Sequence, residues 1–430
     1  MGSRIGRRVA IVAGLRTPFV KAGTVYKDLS ALELGRIVVA ELVQRSNLAP
    51  REIDSIVFGT VIHHVAVSNI AREIALAAGL PRSSEAYTVS RACATSLQAL
   101  TSASDSIALG NSDVALVGGV EAMSDVPITL SRPLAQAMVL ASRGKTVLDK
   151  VKAFATITAK DVLPVPPAIA EYSTGQTMGE SAEKMAKENG ITREAQDAFA
   201  HRSHTRAAKA WAEGTFSNEV MHLLVPPKYE ACAEDNTFRK DSTLEGYAKL
   251  KPVFDRKFGS VTAGNSSPLT DGAAALLVMA EEKAKALGLK PLGYLRSHAY
   301  AGVDPAWQLL QGPAFSVPKA LARAGLKFAD IDLFEVHEAF AAQVLSNLQA
   351  WGSREFAQKY LGGAAPLGEV PEEKLNVHGG SLSLGHPFAA TGARMVTQAL
   401  RELNRTGKQF ALLSICAAGG LGAAAVLERE

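Results

Sequence analysis

The sequence predicts an α/β protein with two similar halves of helix-covered sheet and a region of different texture inserted between them. The first observation is an internal repeat: RSNLAPREIDSIVFG, starting at Arg45, aligns without gaps with RAGLKFADIDLFEVH, starting at Arg323. The second is that apolar runs typical of covered strands alternate with stretches of helical spacing in both halves. The third is a proline-rich and strongly charged stretch between the halves. Such alternation predicts helices packed on the faces of sheets.

Each element follows from a local pattern. ALELGRIVVAELVQ and PKALARA have apolar residues at helical spacing, and the short apolar runs after them, SIVFGTV and LFEV, predict buried strands. DVALVGGVEAM near residue 113 resembles FALLSICAAGG near residue 410, which predicts a matching strand in each half. After the insertion, NSSPLTDGAAALLVMAEEKAKALGL predicts a strand and a helix that complete the first half. We therefore predict an N-terminal half of residues 1–124 and 268–290, an inserted domain of residues 125–267 and a C-terminal half of residues 291–430.

The stretch from Phe410 to Leu427 has two possible interpretations, a membrane-spanning segment or strands of a buried sheet. It has 18 residues without a charge, which is long enough in principle to span a bilayer. However, Gly419, Gly420 and Gly422 interrupt it directly after the β-prone FALLSIC. These glycines predict a strand, a tight turn and a return strand in a buried sheet.

Composition and charge exclude several classes of protein. The chain has 430 residues, 47% of them hydrophobic and 20% charged, and a net charge of +4. These values exclude a disordered or collagen-like chain and give no support for nucleic acid as a partner. The three cysteines, Cys93, Cys232 and Cys416, include no C-x-x-C pair, so we expect reduced thiols in the cytosol. The N-terminal MGSRIGRRVAIVAGLRTPF lacks the long apolar region of a signal peptide, which also favours a cytoplasmic protein.

Four side chains at predicted strand ends form a candidate catalytic set. Cys93 precedes a helix-compatible stretch, where the helix N-terminus would favour the thiolate. His386, in the glycine-rich GGSLSLGHPFAATG, could take the proton of this thiol. Cys416 ends a strand before a glycine-rich turn, and His337 follows a strand in EVHEAFAAQ. The alternatives are a small buried structural cysteine and an ordinary His-Pro turn before a helix.

With these motifs in view, the chain resembles the thiolase superfamily over almost its whole length. The matching motifs are RTPF, the Cys93 segment, TAGNSSPLTDGAAA, HEAF, GGSLSLGHP and CAAGG. Within the superfamily the chain is most similar to degradative 3-ketoacyl-CoA thiolases that form the β-subunit of trifunctional fatty-acid oxidation complexes, including the bacterial anaerobic type. The resemblance implies the duplicated, layered thiolase fold with mixed sheets, and acetyl-CoA C-acyltransferase activity in fatty-acid β-oxidation.

The resemblance also implies a role for each reactive residue. Cys93 would be the acyl-accepting nucleophile, His386 its activating base and Cys416 the acid and base for the second reaction partner. His386 and His337 would stabilise the acetyl-CoA enolate, and the backbone N–H groups of Cys93 and Ala418 would hold the oxyanion of acyl transfer. Free CoA would then attack the Cys93 thioester in a ping-pong cycle.

Coenzyme A is implied as a co-substrate and not as a permanently bound cofactor. By resemblance, Ser267 and Met178 would line its pantetheine arm, and Arg239 would lie near its nucleotide. A solvated surface charge is the alternative for Arg239. No metal or redox cofactor is expected, and pairs such as His201 and His204 lack a third ligand nearby.

Three positions depart from the commoner family pattern. His337 and Ser90 stand where many thiolases have asparagine, and Ala418 occupies a usual glycine. Cys93, His337 and His386 together are like the reactive set of some 3-ketoacyl synthases, whereas Cys416 argues for a thiolase. The change at Ala418 should be mild because only its backbone donor is used.

Residues 131–171 suggest a partner. They combine apolar residues at helical spacing with basic side chains, which fits either a companion hydratase/3-hydroxyacyl-CoA dehydrogenase subunit or an anionic lipid surface. Ordinary helices covering the acyl site are the alternative. By resemblance we also expect a homodimer core. Rival functions are acetoacetyl-CoA formation in the biosynthetic direction, a non-catalytic thiolase-like protein that binds acyl-CoA or lipid, and a cysteine hydrolase.

Overall fold

The computed structural model describes residues 6–168 and 170–430 of the chain. Residues 1–5, where the segment considered for a signal peptide begins, and residue 169, within the predicted partner segment, lie outside the described residues. The strands are β1 (Val9–Arg16), β2 (Val20–Lys21), β3 (Ser55–Gly59), β4 (Glu85–Val89), β5 (Val114–Glu121), β6 (Leu223–Val225), β7 (Glu230–Cys232), β8 (Thr270–Ala280), β9 (Gly293–Gly302), β10 (Leu333–Val336), β11 (Phe410–Ala417) and β12 (Leu421–Glu428). The helices are α1 (Ala31–Arg45), α2 (Ile70–Ala77), α3 (Thr95–Ala108), α4 (Arg132–Arg143), α5 (Val147–Lys152), α6 (Met178–Glu188), α7 (Arg193–Ala212), α8 (Leu244–Ala248), α9 (Glu281–Ala286), α10 (Gly312–Ala324), α11 (Ala341–Gly352), α12 (Arg354–Phe356), α13 (Ser381–Leu384) and α14 (Thr391–Thr406).

The large mixed sheet confirms the predicted duplication. Its strand order is β4-β3-β5-β8-β1-β9-β12-β11-β10, and β2 pairs with β8 at the side. From β3 to β1 the pairs are parallel, antiparallel and antiparallel, and the same sequence of pairs runs from β10 to β9. The two halves therefore repeat one topology in mirrored order, and they meet where β1 pairs with β9. The repeat found in the sequence places β3 and β10 at corresponding positions.

Helices cover the sheet because its central strands are apolar on both faces. Every residue of β3, β5 and β8 is buried, the pattern of a sheet with two covered faces. The helices α3 and α14 pack against each other, α3 on β3, β5 and β8, and α14 on β1, β8 and β11. Leu97 of α3 and Leu400 of α14 share one core cluster with Leu276 and Leu413 of the strands. Each such buried leucine contributes about 2 kcal/mol of transfer free energy.

The chain divides into two compact units. Of the described residues, one unit comprises 6–61, 69–125 and 170–430, and the other comprises 62–68 and 126–168. The larger unit includes residues 170–267, most of the insertion predicted from the sequence, and the three-part division with its boundaries stays a prediction.

The smaller unit contains α4 and α5, and its residues Thr129 and Val165 exchange two backbone hydrogen bonds of 2.9 Å. Both helices begin with a capping hydroxyl, from Ser131 and Thr146. The unit exposes many apolar side chains. They are Val65, Ile128, Leu130, Met138, Val139, Leu140, Val147, Leu148, Val151, Phe154, Val162, Leu163 and Val165.

The uncharged C-terminal stretch forms a strand pair, as predicted. β11 and β12 pair antiparallel from Phe410 opposite Glu428 to Ala417 opposite Leu421. Gly419 and Gly420 have φ of 85° and 69°, a left-handed conformation that glycine adopts without steric cost. In the described part of the chain, no helix has the length and apolar character needed to cross a membrane.

Candidate active site

The four predicted reactive residues lie within the larger unit, but only three of them lie at or near a strand end, and the predicted strand-end position of His386 is wrong. Cys93 lies between β4 and α3, and His386 lies between α13 and α14. His337 follows β10 directly, and its N–H donates a 2.8 Å hydrogen bond to the Ser414 carbonyl of β11. Cys416 is two residues further along the same strand and is 1% exposed. The parallel pairing of β10 with β11 thus brings His337 and Cys416 to one edge of the sheet.

Cys93 and the two histidines form a compact cluster. The Cys93 Sγ lies 3.2 Å from His386 Nε2, and the centroids of the His337 and His386 rings are 4.2 Å apart. One sulfur or nitrogen atom from each of the three lies within 4.8 Å of the others. Sulfur and imidazole ligands of this kind also suit zinc, so the absence of a metal cofactor stays a prediction.

Cys93 is presented on a strained turn just before a helix. Ala92 has φ of 43°, which a residue with a side chain adopts at a cost of about 1 kcal/mol or more. The Thr95 hydroxyl holds the turn, accepting from the Arg91 N–H at 2.8 Å and donating to the Ala92 carbonyl at 2.7 Å. Since α3 begins at Thr95, Cys93 lies next to a helix N-terminus, as the sequence predicts.

The prediction that the Cys93 thiolate is stabilised is wrong for the free protein. Burial raises the pKa of Cys93 to about 12, although the backbone N–H groups of Ala418 and of Cys93 itself act in the opposite direction. Burial likewise lowers the pKa of His386 to about 3, and the positive charge of Arg394 lowers it further. The penalty for burying the charge exceeds the benefit of these two backbone donors. The resting pair is therefore a neutral thiol and a neutral imidazole.

Cys416 lies near enough to Cys93 to be affected by it electrostatically. Burial raises the pKa of Cys416 well above its ordinary value, and the neighbouring Cys93 raises it further. The two thiols thus share one site in which neither is readily ionised. A group of this kind holds its proton until a stronger base arises next to it.

The loop with His386 is fixed on both sides. The His386 N–H donates to Thr270 Oγ1 at 3.0 Å, and its Nδ1 lies 2.7 Å from Thr391 Oγ1. Gly385 before it has φ of 95°, in the region that favours glycine. Further along, the Ala389 N–H donates to a carboxylate oxygen of Glu121 at 3.3 Å. The imidazole is therefore held in one orientation toward Cys93.

Glu338 fastens the His337 turn to the His386 loop. Its buried carboxylate accepts from Ser203 Oγ and Asn376 Nδ2, each at 2.7 Å, and from the Leu382 N–H at 3.2 Å. Burial raises the pKa of Glu338, while the hydrogen bonds from Ser203 and Asn376 lower it. A Cβ at Gly380 would lie 2.4 Å from the Glu338 carboxyl carbon, so this position requires glycine.

His337 has one satisfied and one free ring nitrogen. Its Nδ1 lies 3.0 Å from Ser381 Oγ, and Arg394 Nη2 donates to the same oxygen at 3.1 Å. Its Nε2 has no hydrogen-bond partner among the described residues, although the side chain is 0% exposed. Burial lowers the pKa of His337 well below its ordinary value, and His386 and Arg394 add to this effect.

The residues predicted to contact CoA divide into two groups. The Ser267 N–H donates to the Ala339 carbonyl at 2.9 Å, beside His337 and Glu338. Met178 packs against the buried cluster that contains Cys416. Arg239 is exposed, and its N–H donates to His204 Nδ1 at 3.0 Å. Ser267 thus contacts the segment that follows His337, Met178 contacts the cluster that includes Cys416, and Arg239 is linked to α7.

Sequence reasoning missed the residues that hold the reactive ones. Ser381 and Thr391 lie inside the glycine-rich motif, where a hydroxyl at each position was a visible signal. Arg394 follows that motif as one cation on a predicted helix, and Asn376 precedes it in a loop. Nothing in the local pattern separates these two from ordinary surface residues, yet Arg394 is 1% and Asn376 is 3% exposed.

Family models and curated relatives match nearly the whole chain. Residues 9–282 match the family described as "Thiolase, N-terminal domain" and residues 289–429 the one described as "Thiolase, C-terminal domain". The chain is 54% identical over 428 residues to the 3-ketoacyl-CoA thiolase of Salmonella paratyphi C and 51% identical to that of Photobacterium profundum. Both alignments cover 100% of this chain and 98% of the relative.

Solved structures give the same result. The crystal structure of the Bacillus anthracis acetyl-CoA acetyltransferase has a TM-score of 0.84 and 35% identity, with 100% of both chains covered. The crystal structure of human mitochondrial 3-ketoacyl-CoA thiolase has a TM-score of 0.84 and 29% identity, with 98% of this chain and 99% of the human one covered.

Proposed function

Because the chain belongs to the thiolase family, we propose that it is a 3-ketoacyl-CoA thiolase, an acyltransferase that cleaves 3-ketoacyl-CoA with CoA to give acetyl-CoA and an acyl-CoA two carbons shorter. The observation that carries this proposal is the 3.2 Å contact between Cys93 Sγ and His386 Nε2, with Cys416 beside it. Thiolysis needs a nucleophilic thiol with a base and a second acid and base, and this cluster supplies all three.

In the first half-reaction, Cys93 attacks the 3-keto carbon. Its proton passes to His386 Nε2 as the carbon–sulfur bond forms, so no free thiolate has to exist beforehand. The bond between carbons 2 and 3 then breaks and leaves an acyl thioester on Cys93 and the enolate of acetyl-CoA. Cys416 donates its proton to carbon 2 of the enolate and becomes a thiolate. A buried thiol of raised pKa fits this donation to a strong carbon base.

In the second half-reaction, free CoA replaces acetyl-CoA. Its thiol gives a proton to the Cys416 thiolate and attacks the Cys93 thioester. The bond from Cys93 Sγ to the acyl carbon breaks, and the Cys93 thiolate takes back the proton from His386. All groups return to their starting protonation states, as a ping-pong cycle requires.

Negative charge develops on two oxygens in this cycle. We assign the oxyanion of acyl transfer to the backbone N–H groups of Cys93 and Ala418, because both act on the Cys93 sulfur. We assign the enolate oxygen to His337 and His386, whose rings are in contact. Donors that are already in place in a buried site stabilise such charge without reorganisation.

CoA is the co-substrate in this proposal. Ser267 and Met178 would border its pantetheine arm, since Ser267 bonds to Ala339 close after His337 and Met178 packs against the buried cluster that includes Cys416. Arg239 would bind the nucleotide of CoA, and the exposure of its side chain supports this assignment. No metal is assigned a step. All the cysteines of the described residues are free thiols, and the cycle uses two of them as thiols, which favours a reducing cytosol.

The partner proposals rest on the smaller unit. Its exposed apolar residues and its basic side chains would dock a hydratase/3-hydroxyacyl-CoA dehydrogenase subunit, with an anionic lipid surface as the alternative. A homodimer core is part of the same proposal. Pull-down of the dehydrogenase subunit by the whole chain, and sedimentation of the chain alone, test the two statements separately.

The function is tested by CoA-dependent cleavage of 3-ketoacyl-CoA esters from four to sixteen carbons, followed by the intact mass of the protein without CoA. We expect cleavage of medium or long chains and an acyl adduct that is absent in Cys93→Ala. Activity with the four-carbon ester alone would favour acetoacetyl-CoA metabolism. Cleavage that survives in Cys93→Ala would refute the mechanism.

A further inference from the structure

The two histidines of the site have different hydrogen-bond surroundings. In both rings Nδ1 faces a hydroxyl, which belongs to Thr391 for His386 and to Ser381 for His337. The Thr391 hydroxyl has no second partner among the described contacts. The Ser381 hydroxyl has one, because Arg394 Nη2 lies 3.1 Å from its oxygen.

This second contact determines the direction of the hydrogen bond to His337. A guanidinium has donors only, so Arg394 must donate to Ser381 Oγ. The serine oxygen could also accept from His337, but its own buried proton would then have no acceptor among the described contacts. Donation to His337 Nδ1 satisfies that proton. A neutral imidazole that accepts at Nδ1 has its proton on Nε2. The network therefore selects the Nε2–H tautomer of His337.

His386 requires the opposite tautomer. The Cys93 thiol retains its proton at rest and lies 3.2 Å from His386 Nε2, so this nitrogen must present a lone pair to take it. Its Nδ1–H then donates to Thr391 Oγ1 at 2.7 Å. The two imidazoles in contact therefore differ: Nε2 of His386 is an acceptor, and Nε2 of His337 is a donor.

We propose that Arg394 and Ser381 are positioning residues that hold His337 as a hydrogen-bond donor to the enolate oxygen, while its neighbour His386 remains a base. The proposal rests on the proposed thiolase function and extends it to residues that do not touch substrate. It accounts for the buried and unpartnered Nε2 of His337, whose partner would arrive with the substrate. With the other tautomer, a lone pair would face the developing negative charge.

The positive charge of Arg394 adds a second effect. Arg394 is buried, and its nearest carboxylate oxygen, on Glu335, is 3.5 Å from Nη1. Its charge acts on both histidines and disfavours their protonation. The same residue therefore keeps the rings neutral and, through Ser381, sets the tautomer of one of them.

The test is Ser381→Ala, with Ser383→Ala as the matched control. Ser383 is another buried serine of the same loop, but its hydroxyl contacts Ser203 and the Gly380 carbonyl instead of a histidine. We expect Ser381→Ala to lower kcat of cleavage at least tenfold with little change in KM, since loss of an oxyanion donor typically costs about 100-fold to 1000-fold. In the same variant, the rate at which the acetyl-CoA methyl protons exchange with deuterium should fall by the same factor as kcat. Acylation of Cys93 by acyl-CoA should change less than twofold, because that step uses the backbone donors.

A double variant separates tautomer control from general damage. The amide of asparagine provides an N–H donor whatever Ser381 does, so His337→Asn combined with Ser381→Ala should be no slower than His337→Asn alone. Equal losses of acylation and deuterium exchange in Ser381→Ala, or additive losses in the double variant, would overturn the proposal.

A spectroscopic measurement distinguishes failure of this proposal from failure of the proposed function. In protein labelled with ¹⁵N-histidine, with His337→Asn to assign the signals, we expect His337 Nε2 protonated and Nδ1 unprotonated in the free wild type. A proton on Nδ1 would overturn the tautomer assignment whatever the activity. The expected tautomer in a protein that cleaves no 3-ketoacyl-CoA would instead refute only the thiolase function and the role of His337 in it.

Discussion

The neutral resting state of Cys93 predicts an unusual pH dependence of its chemical reactivity. A thiol with the ordinary pKa of 9.0 is about one-tenth thiolate at pH 8. With the pKa of Cys93 raised to about 12 by burial, the fraction at pH 8 is about 10⁻⁴, which is roughly a thousandfold less. Because burial lowers the pKa of His386 to about 3, no imidazolium is present above about pH 5 to stabilise the thiolate.

The assay is alkylation of Cys93 by iodoacetamide in the free protein from pH 6 to pH 10, followed by peptide mass spectrometry. We expect the rate constant to rise about tenfold per pH unit without a plateau near pH 9, above a small constant rate assisted by His386 that His386→Ala removes. Acylation by substrate should stay nearly independent of pH over the same range, since His386 takes the proton during attack. A plateau of alkylation at or below pH 8 would show a preformed thiolate–imidazolium pair and refute the reasoning.

Three further predictions address other parts of the site and fold. Cys416→Ala should retain acylation of Cys93 but lose deuterium exchange into acetyl-CoA, by mass spectrometry; retained exchange would contradict its role. Glu338→Ala should lower the free energy of urea unfolding by about 3 kcal/mol, because three buried donors lose their acceptor. A loss under about 1 kcal/mol would contradict the proposed stabilising role of the Glu338 hydrogen bonds. Burial raises the pKa of Glu402, but hydrogen bonds from His378 and Arg405 outweigh the effect of burial and lower this pKa from 4.5 to about 2. About 3 kcal/mol of stability, present above about pH 4.5, should therefore be lost as pH falls toward 2. Glu402→Gln should be less sensitive to acid over that interval, and equal acid sensitivity would contradict the assignment.

The sequence was sufficient for the fold because its local signals agree with one another. The Arg45 and Arg323 repeat predicted β3 and β10 as equivalents, and the glycines after residue 418 predicted the β11–β12 turn. The bounds of each compact unit could not be predicted from the sequence. Proline and charge mark the stretch after residue 125 as different, but only tertiary packing decides that residues 170–267 join the larger unit.

For the site, residue types and strand ends predicted which side chains would meet, and motif resemblance predicted their roles. The ionisation of Cys93 was misjudged because a helix end is visible in a sequence, whereas the depth of burial that opposes it depends on residues from distant segments. Arg394 was missed for the same reason. An arginine on an amphipathic helix is normally solvated, and only the closure of both halves around α14 buries it.

The mirrored sheet has a consequence for the origin of a single reactive centre in a doubled molecule. Cys93 precedes α3 and His386 precedes α14, and these two helices occupy equivalent positions in the halves and pack together. The two loops before these helices differ in sequence, and one supplies sulfur as the attacking atom whereas the other supplies nitrogen as the proton carrier. Neither half contains both the nucleophile and its base, so the reactive pair forms only where the two halves of one chain pack together.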